Sequence, residues 1–184
     1  MLLRLRESLP ELVRWHNVLG GLAPDTDQPM PEQTRQMVQS HWRKIQSTIG
    51  TEFNFRFWSE CRPRRDTYKA CRAVIAASYQ QAEEPMIEAV QRAYYLRAMN
   101  PSEPATLAQL AGELGLDQQA FRRDLISERT ESEFRAHRAL RAKLNVRVFP
   151  SLVLEHRSVV SPVDVDYHDY RTSLTQIHNR LAAG

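Results

Sequence analysis

The chain has 184 residues, which suits one domain or one domain with an inserted subdomain. Hydrophobic residues make up 42% and the formal net charge is +3, a composition typical of soluble globular proteins. No apolar run approaches the roughly 18 residues of a membrane helix, and so small a charge excess does not indicate nucleic-acid binding. The N-terminus lacks the apolar segment of a secretory signal, because Arg4, Arg6 and Glu7 interrupt it. We therefore expect a cytoplasmic protein with no membrane or nucleic-acid partner.

The predicted elements begin with a helix end and a strand. Residues 2–11 are predicted to be the end of a helix that Pro10 stops. Residues 12–19 are rich in strand formers and end at a Gly-Gly pair, which predicts a strand. Residues 23–31 hold three prolines and two aspartates, which predicts a loop.

The middle of the chain is predicted to be helical. Helices are expected at 31–50, 67–82, from about 85, at 106–114, from 117 and from 130. Asp117 is placed to cap one of them, and Thr130 with Glu133 has the pattern of a capping box. Asn145 follows the last of these helices in the position where asparagine can replace glycine.

Strand formers return after Asn145. Val148, Phe149 and Pro150 precede a strand predicted at 151–155, a second strand is expected at 159–165, and 166–181 has helical spacing. A parallel pair of strands needs a long crossover, and a helical insertion is one way to supply it.

Three groups of side chains are candidates for chemistry. Cys61 and Cys71 could form a disulfide or sensor pair, although two reduced thiols are the favoured reading. A basic cluster could bind an anion such as a glutathione carboxylate or a phosphate, with Thr67 at a helix N-terminus, or could be a solvated surface; its members are Arg62, Arg64, Arg65 and Arg72.

The third group is aromatic. It could line an apolar peptide groove, but the core between two subdomains is the favoured reading; its members are Phe53, Phe55, Phe57 and Trp58. The six histidines are scattered, and none has a metal-ligand spacing with a cysteine or carboxylate, so no metal site is predicted.

Three segments resemble the DsbA family of the thioredoxin-like superfamily, and in particular its bacterial predicted protein-disulfide isomerases. They are residues 17–24, 61–74 and 144–154. The resemblance implies an α/β, thioredoxin-like fold with an inserted all-helical subdomain. Residues 1–30 and 145–184 would form the thioredoxin-like part, and residues 31–144 the insertion.

The resemblance also implies a substrate site at the proline loop. The peptide bond before Pro150 would be cis, and the backbone around Val148 and Phe149 would pair with an extended thiol or disulfide substrate.

The chain departs from the family at its redox motif. The family has a strand and a Cys-x-x-Cys at a helix N-terminus before the segment that matches Leu2, and this chain contains neither. Cys61 and Cys71 cannot imitate the motif, whose geometry comes from one helical turn. We expect a truncated gene or a start placed too far downstream, and no catalytic residue is assigned.

The implied function is therefore thiol–disulfide oxidoreduction or disulfide isomerisation, inactive in the chain as it stands. One alternative is a redox-inactive module that binds a peptide or partner. Another is a protein akin to glutathione-dependent isomerases, for which glutathione would be the possible cofactor. An unpaired sheet edge would favour a homodimer.

Overall fold

A computed structural model describes residues 2–182, which divide into two units. Of the described residues, 2–18 and 138–182 form one unit, and residues 19–137 form the other. The elements, in chain order, are α1 (Leu2–Glu7), α2 (Glu32–Ile49), α3 (Phe57–Glu60), α4 (Tyr68–Ser78), α5 (Glu83–Leu96), α6 (Pro104–Glu113), α7 (Gln118–Leu125), α8 (Glu128–Lys143), β1 (Leu152–His156), β2 (Val159–Val163) and α9 (Tyr170–Ala182).

The first unit contains a two-stranded antiparallel sheet packed with α9, which also contacts α1. Leu152 lies opposite Val163, and the turn between the strands is formed by Arg157 and Ser158. Both turn residues have positive φ, 51° and 64°, as a type I′ hairpin turn requires. The core of this unit is built around Leu5, Leu154, Val163 and Ile177.

The second unit is helical, and α4 is its central element. Helix α4 contacts α5, α6 and α7. Residues 73–77 are all buried, so the helix is covered on every side. Three of these five residues are alanines, whose small side chains let the neighbouring helices approach closely.

A second core of the same unit is aromatic. The ring of Trp42, on α2, lies within 6.0 Å of the rings of its neighbours, measured between centroids. Those neighbours are Phe53, Phe55, Phe57, Trp58, Tyr94 and Tyr95. All seven belong to the 19–137 unit, so the cluster is an internal core of that unit and not a core between two subdomains. It also includes the short helix α3, which carries Phe57 and Trp58.

The strand predicted at residues 12–19 is absent, because this segment has no regular secondary structure. A strand is held by hydrogen bonds to a neighbouring strand. Within residues 2–182 the one sheet consists of β1 and β2, so no neighbour pairs with this segment.

The capping box predicted at Thr130 and Glu133 is also wrong. Helix α8 begins two residues before Thr130, and the hydroxyl of Ser127 accepts a hydrogen bond from the Thr130 N–H at 3.2 Å. The side chains of Thr130 and Glu133 instead contact the Tyr79 hydroxyl, at 3.3 and 2.9 Å. The predicted cap at Asp117 is confirmed, because its carboxylate accepts from the N–H groups of Gln119 and Ala120.

Candidate functional site: the proline loop

The proline loop, residues 146–151, begins where α8 ends. Asn145 has φ of 53°, and its N–H donates to the Ala142 carbonyl at 3.0 Å. The N–H of Val146 donates to the Arg141 carbonyl at 3.1 Å. These two bonds and the left-handed residue form a Schellman motif, which gives the loop a defined starting point.

Side-chain hydrogen bonds brace the loop itself. The Ser151 hydroxyl donates to the Val148 carbonyl at 2.7 Å, and Nε of Arg147 donates to Oδ1 of Asn145 at 3.3 Å. The peptide bond between Phe149 and Pro150 is cis. Val148 is 70% exposed and Phe149 43%, so the loop presents apolar side chains to solvent.

The loop leads directly into an unpaired sheet edge. Strand β1 begins at Leu152 and pairs with β2 alone among the residues that the structure describes. An unpaired edge exposes backbone N–H and C=O groups that an extended peptide can join as an added strand. The exposed loop and this edge can therefore act together as a peptide-binding surface.

The two cysteines are free thiols, and burial disfavours the thiolate of each. Burial raises the pKa of Cys71 to about 11, even though a hydrogen bond from the Gly21 backbone and the nearby Arg72 act in the opposite direction. Burial, with smaller contributions from Glu60 and Glu103, also raises the pKa of Cys61. The Cys61 thiol donates to the Ala98 carbonyl at 3.0 Å. Thiolate is the nucleophile in disulfide chemistry, so neither side chain is activated.

The predicted basic cluster is divided between paired and unpaired arginines. Arg64 pairs with Glu103 at 3.1 Å, and Arg72 pairs with Asp25 at 2.6 Å and Glu131 at 3.2 Å. The side chains of Arg62 and Arg65 are exposed, and neither forms an ion pair with any residue from 2 to 182.

Thr67, predicted to assist the basic cluster, has another role. Its hydroxyl accepts from the Ala23 N–H at 2.9 Å and does not cap α4. The arginines and cysteines lie in the 19–137 unit, whereas the proline loop lies in the other unit.

Sequence reasoning singled out Val148, Phe149 and Pro150 but missed the residues that brace them. Ser151 and Arg147 both lie in the segment that resembles the DsbA family, residues 144–154, but neither is assigned a role there. A polar residue just after a proline and an arginine two residues after a helix-ending asparagine are the signals that could have found them.

Within residues 2–182, no group of three or more potential metal-ligating side chains is present. In the same part of the chain, no helix combines the length and apolar character needed to cross a bilayer.

Comparison with known proteins places the chain in a family. The sequence profile of the DSBA-like thioredoxin domain matches residues 11–170. No curated protein gives a significant match.

Solved structures share the fold. A proposed protein disulfide isomerase from Nitrosomonas europaea is 24% identical, with a TM-score of 0.75 over 87% of this chain and 79% of its own. The cytosolic disulfide reductase DsbM from Pseudomonas aeruginosa is 23% identical, with a TM-score of 0.71 over 90% of this chain and 82% of its own. The structure of DsbM with glutathione has 26% sequence identity to this chain, with a TM-score of 0.69 over 86% of this chain and 82% of its own.

These similarities confirm the predicted α/β, thioredoxin-like fold with a helical insertion. The roles of Val148, Phe149 and Pro150 in substrate contact stay predictions. The profile match extends over most of the chain, and the chain therefore belongs to the DSBA-like thioredoxin domain family.

Proposed function

We propose that this chain binds extended thiol or disulfide peptides at its proline loop and does not itself carry out thiol–disulfide exchange. The thioredoxin-like part would comprise residues 1–30 and 145–184, around a helical insertion at 31–144. The observation that carries the proposal is the braced, exposed loop at Val148, Phe149 and Pro150, followed by the unpaired edge of β1. Backbone groups along such an edge bind a peptide with little regard to its sequence.

The two thiols of the chain are poorly suited to disulfide exchange. Disulfide exchange needs a thiolate that attacks one sulfur of the disulfide and forms a mixed disulfide. With its pKa raised to about 11, Cys71 is ionised in only about one molecule in 10,000 at pH 7. Nine residues separate it from Cys61, and both are free thiols, so no resolving pair is in place.

The experiment measures exchange and binding on the same preparation. We expect that the chain does not accelerate the reduction of insulin by glutathione. We also expect that it binds capped peptides that contain S-methylcysteine, with the binding measured by NMR titration. Phe149→Ala should weaken that binding about tenfold, the size expected for about 1.4 kcal/mol of lost contact. The matched control is Tyr167→Ala, which removes another exposed aromatic ring from the same unit.

Two results would count against the proposal. Insulin reduction that disappears in Cys61→Ser or Cys71→Ser would mean that one of these thiols is catalytic. Equal peptide binding by wild type and Phe149→Ala would mean that the proline loop is not the binding surface.

A second candidate function is glutathione binding, which the unpaired Arg62 and Arg65 favour. Glutathione carries two carboxylates, and arginine binds carboxylates through paired hydrogen bonds. The DsbM structure with glutathione supplies the chemical precedent. Glutathione titration should shift amide signals of residues 61–67 in wild type and not in Arg62→Gln/Arg65→Gln. Arg122→Gln/Arg123→Gln, which removes two exposed charges from the same unit, is the control.

A cytoplasmic location is also proposed. It draws on the name of DsbM as a cytosolic reductase, and on the free state of both thiols, which suits a reducing compartment. Cell fractionation with an antibody against the chain would test it, and recovery in a periplasmic fraction would contradict it.

A further inference from the structure

Several arginines among residues 2–182 are held in position by carboxylates. Arg72 bridges Asp25 and Glu131, and the two terminal nitrogens of Arg97 donate to Glu113 at 2.6 and 2.8 Å. Arg147, in the proline loop, is different. It is exposed, and the contact that orients it within residues 2–182 is with a neutral amide oxygen, that of Asn145.

Hydrogen bonds fix both ends of the loop that carries Arg147. Asn145 is held in the left-handed conformation by the Schellman motif, which places its amide oxygen in a defined position. That oxygen accepts from Nε of Arg147 at 3.3 Å. On the other side, the Ser151 hydroxyl bonds the Val148 carbonyl at 2.7 Å.

One N–H of the guanidinium is used in this way, and four remain. A guanidinium has five N–H donors in one plane, and the two terminal nitrogens match the geometry of a carboxylate. Arg147 directly precedes the two exposed apolar residues of the loop, Val148 and Phe149. An oriented positive charge without a carboxylate partner therefore lies beside the surface proposed to bind peptides.

We propose that Arg147, oriented by Asn145, recognises a carboxylate on the ligand of the proline loop. The inference deepens the proposed peptide binding and rests on it, because it names the ligand class: an extended peptide with an acidic side chain beside the segment that contacts Val148 and Phe149. The carboxylate could also come from a small molecule such as glutathione, whose free carboxylates have the same chemistry.

The experiment compares matched ligands that differ in one carboxylate. The probes are acetylated and amidated heptapeptides with a central S-methylcysteine, in which glutamate stands at each flanking position in turn, each paired with its glutamine counterpart. Because both ends are capped, the glutamate is the one carboxylate present. S-methylglutathione, which has free carboxylates, is titrated in parallel.

Wild type should bind at least one glutamate peptide more tightly than its glutamine counterpart at low salt, by a factor between about 1.4 and 5, the range for an exposed ion pair. The preference should fade near 1 M salt, where the Debye length is about 3 Å. Arg147→Gln should remove the preference, because the affinity for the glutamate peptide should fall more than the affinity for its glutamine counterpart. Arg157→Gln, which removes another exposed arginine of the same unit, should keep the preference.

Two further variants separate recognition from a general effect on the loop. Asn145→Gly preserves the left-handed helix end, which glycine favours, but removes the amide that orients Arg147, so the preference should shrink. Arg147→Glu should reverse the preference toward lysine-containing peptides. Thermal unfolding of each variant shows whether it is folded.

The outcomes distinguish this inference from the proposed function. Equal binding of every glutamate and glutamine pair by wild type overturns the carboxylate inference and leaves peptide binding intact. Equal weakening of both peptides by Arg147→Gln also overturns it, because Arg147 would then merely support the loop. Binding of no peptide overturns both. If S-methylglutathione then binds and Arg147→Gln weakens its binding, the ligand of Arg147 is a free carboxylate and not an acidic peptide.

Discussion

Gly21 illustrates how one residue can limit what the chain tolerates. It has φ of 60°, in the left-handed region, and an added Cβ would lie 2.7 Å from Cζ of Phe134 and 2.9 Å from Cε1 of Tyr68. Both ring atoms belong to a packed aromatic pair whose centroids are 4.9 Å apart. A side chain here would therefore be strained in its backbone and would also displace two rings.

We expect Gly21→Ala to lower the free energy of unfolding by about 3 kcal/mol, measured by urea denaturation. The matched control is Gly50→Ala, because Gly50 also has positive φ, 73°, but has no atom within 4 Å of the added Cβ. Only the backbone cost of about 1 kcal/mol should remain there. Equal losses in the two variants would show that the contacts with Phe134 and Tyr68 contribute nothing.

Cys71 should make the protein sensitive to alkaline pH. Burial is the main reason that its folded-state pKa is raised to about 11, from an ordinary value of 9.0. Between these two values the unfolded chain has lost the thiol proton and the folded chain retains it. The stabilising contribution of the protonated thiol is therefore fully present below pH 9. As the pH rises to 11, the free energy of unfolding should fall by at most about 2–3 kcal/mol.

The measurement is urea denaturation at a series of pH values from 8 to 11, with Cys71→Ala beside wild type. Burial also raises the pKa of Tyr94 and of Tyr95, so both proteins should lose stability above pH 10. The variant should lose less, and parallel curves would contradict the prediction. At neutral pH, native Cys71 should also react more slowly with a thiol reagent than it does in the unfolded chain.

At the scale of one element, the start of α8 shows a competition between local and distant contacts. The sequence places Thr130 and Glu133 in a capping pattern, but Tyr79 provides a partner for both side chains. Ser127 caps the helix instead, and its hydroxyl also donates to the Asp124 carbonyl at 2.9 Å.

Ser127→Ala should therefore cost about 1 kcal/mol of stability, as the loss of an N-terminal cap usually does. Ser132→Ala, at an exposed position within the same helix, should change stability by less than about 0.5 kcal/mol. Chemical denaturation of both variants checks the assignment. If Ser127→Ala were as stable as wild type, the cap would have to be elsewhere.

At the scale of the whole molecule, stability comes from separate cores. The α4–α7 core and the aromatic core both lie in the 19–137 unit, and a third core lies in the other unit. Trp42 is the centre of the aromatic core, and its ring is almost fully buried. Helix α2 is stabilised largely through this ring, because its last two turns, residues 43–49, are exposed throughout.

Trp42→Ala should lower the free energy of unfolding by about 3–5 kcal/mol, the usual cost of removing a buried aromatic side chain. Hydrogen exchange of the α2 amides should accelerate more than that of β1 amides, which lie in the other unit. Ile45→Ala, on the same helix but 40% exposed, is the control and should cost less than about 1 kcal/mol. A similar loss in both variants would contradict the central role of Trp42.

The sequence by itself determined the features that depend on neighbours along the chain. The helical spacing, the Asp117 cap and the helix end at Asn145 were all predictable, because a helix and its caps are made from residues within a few positions of each other. The family motif around Pro150 was recognisable for the same reason.

Only the tertiary structure decided what depends on distant partners. Residues 12–19 have the composition of a strand, but a strand also needs a neighbour, and none pairs with them within residues 2–182. Thr130 contacts Tyr79, more than fifty residues earlier, instead of capping its own helix. Likewise, Arg64 and Arg72 are paired while Arg62 and Arg65 are not, because a carboxylate from elsewhere in the chain reaches only the first two.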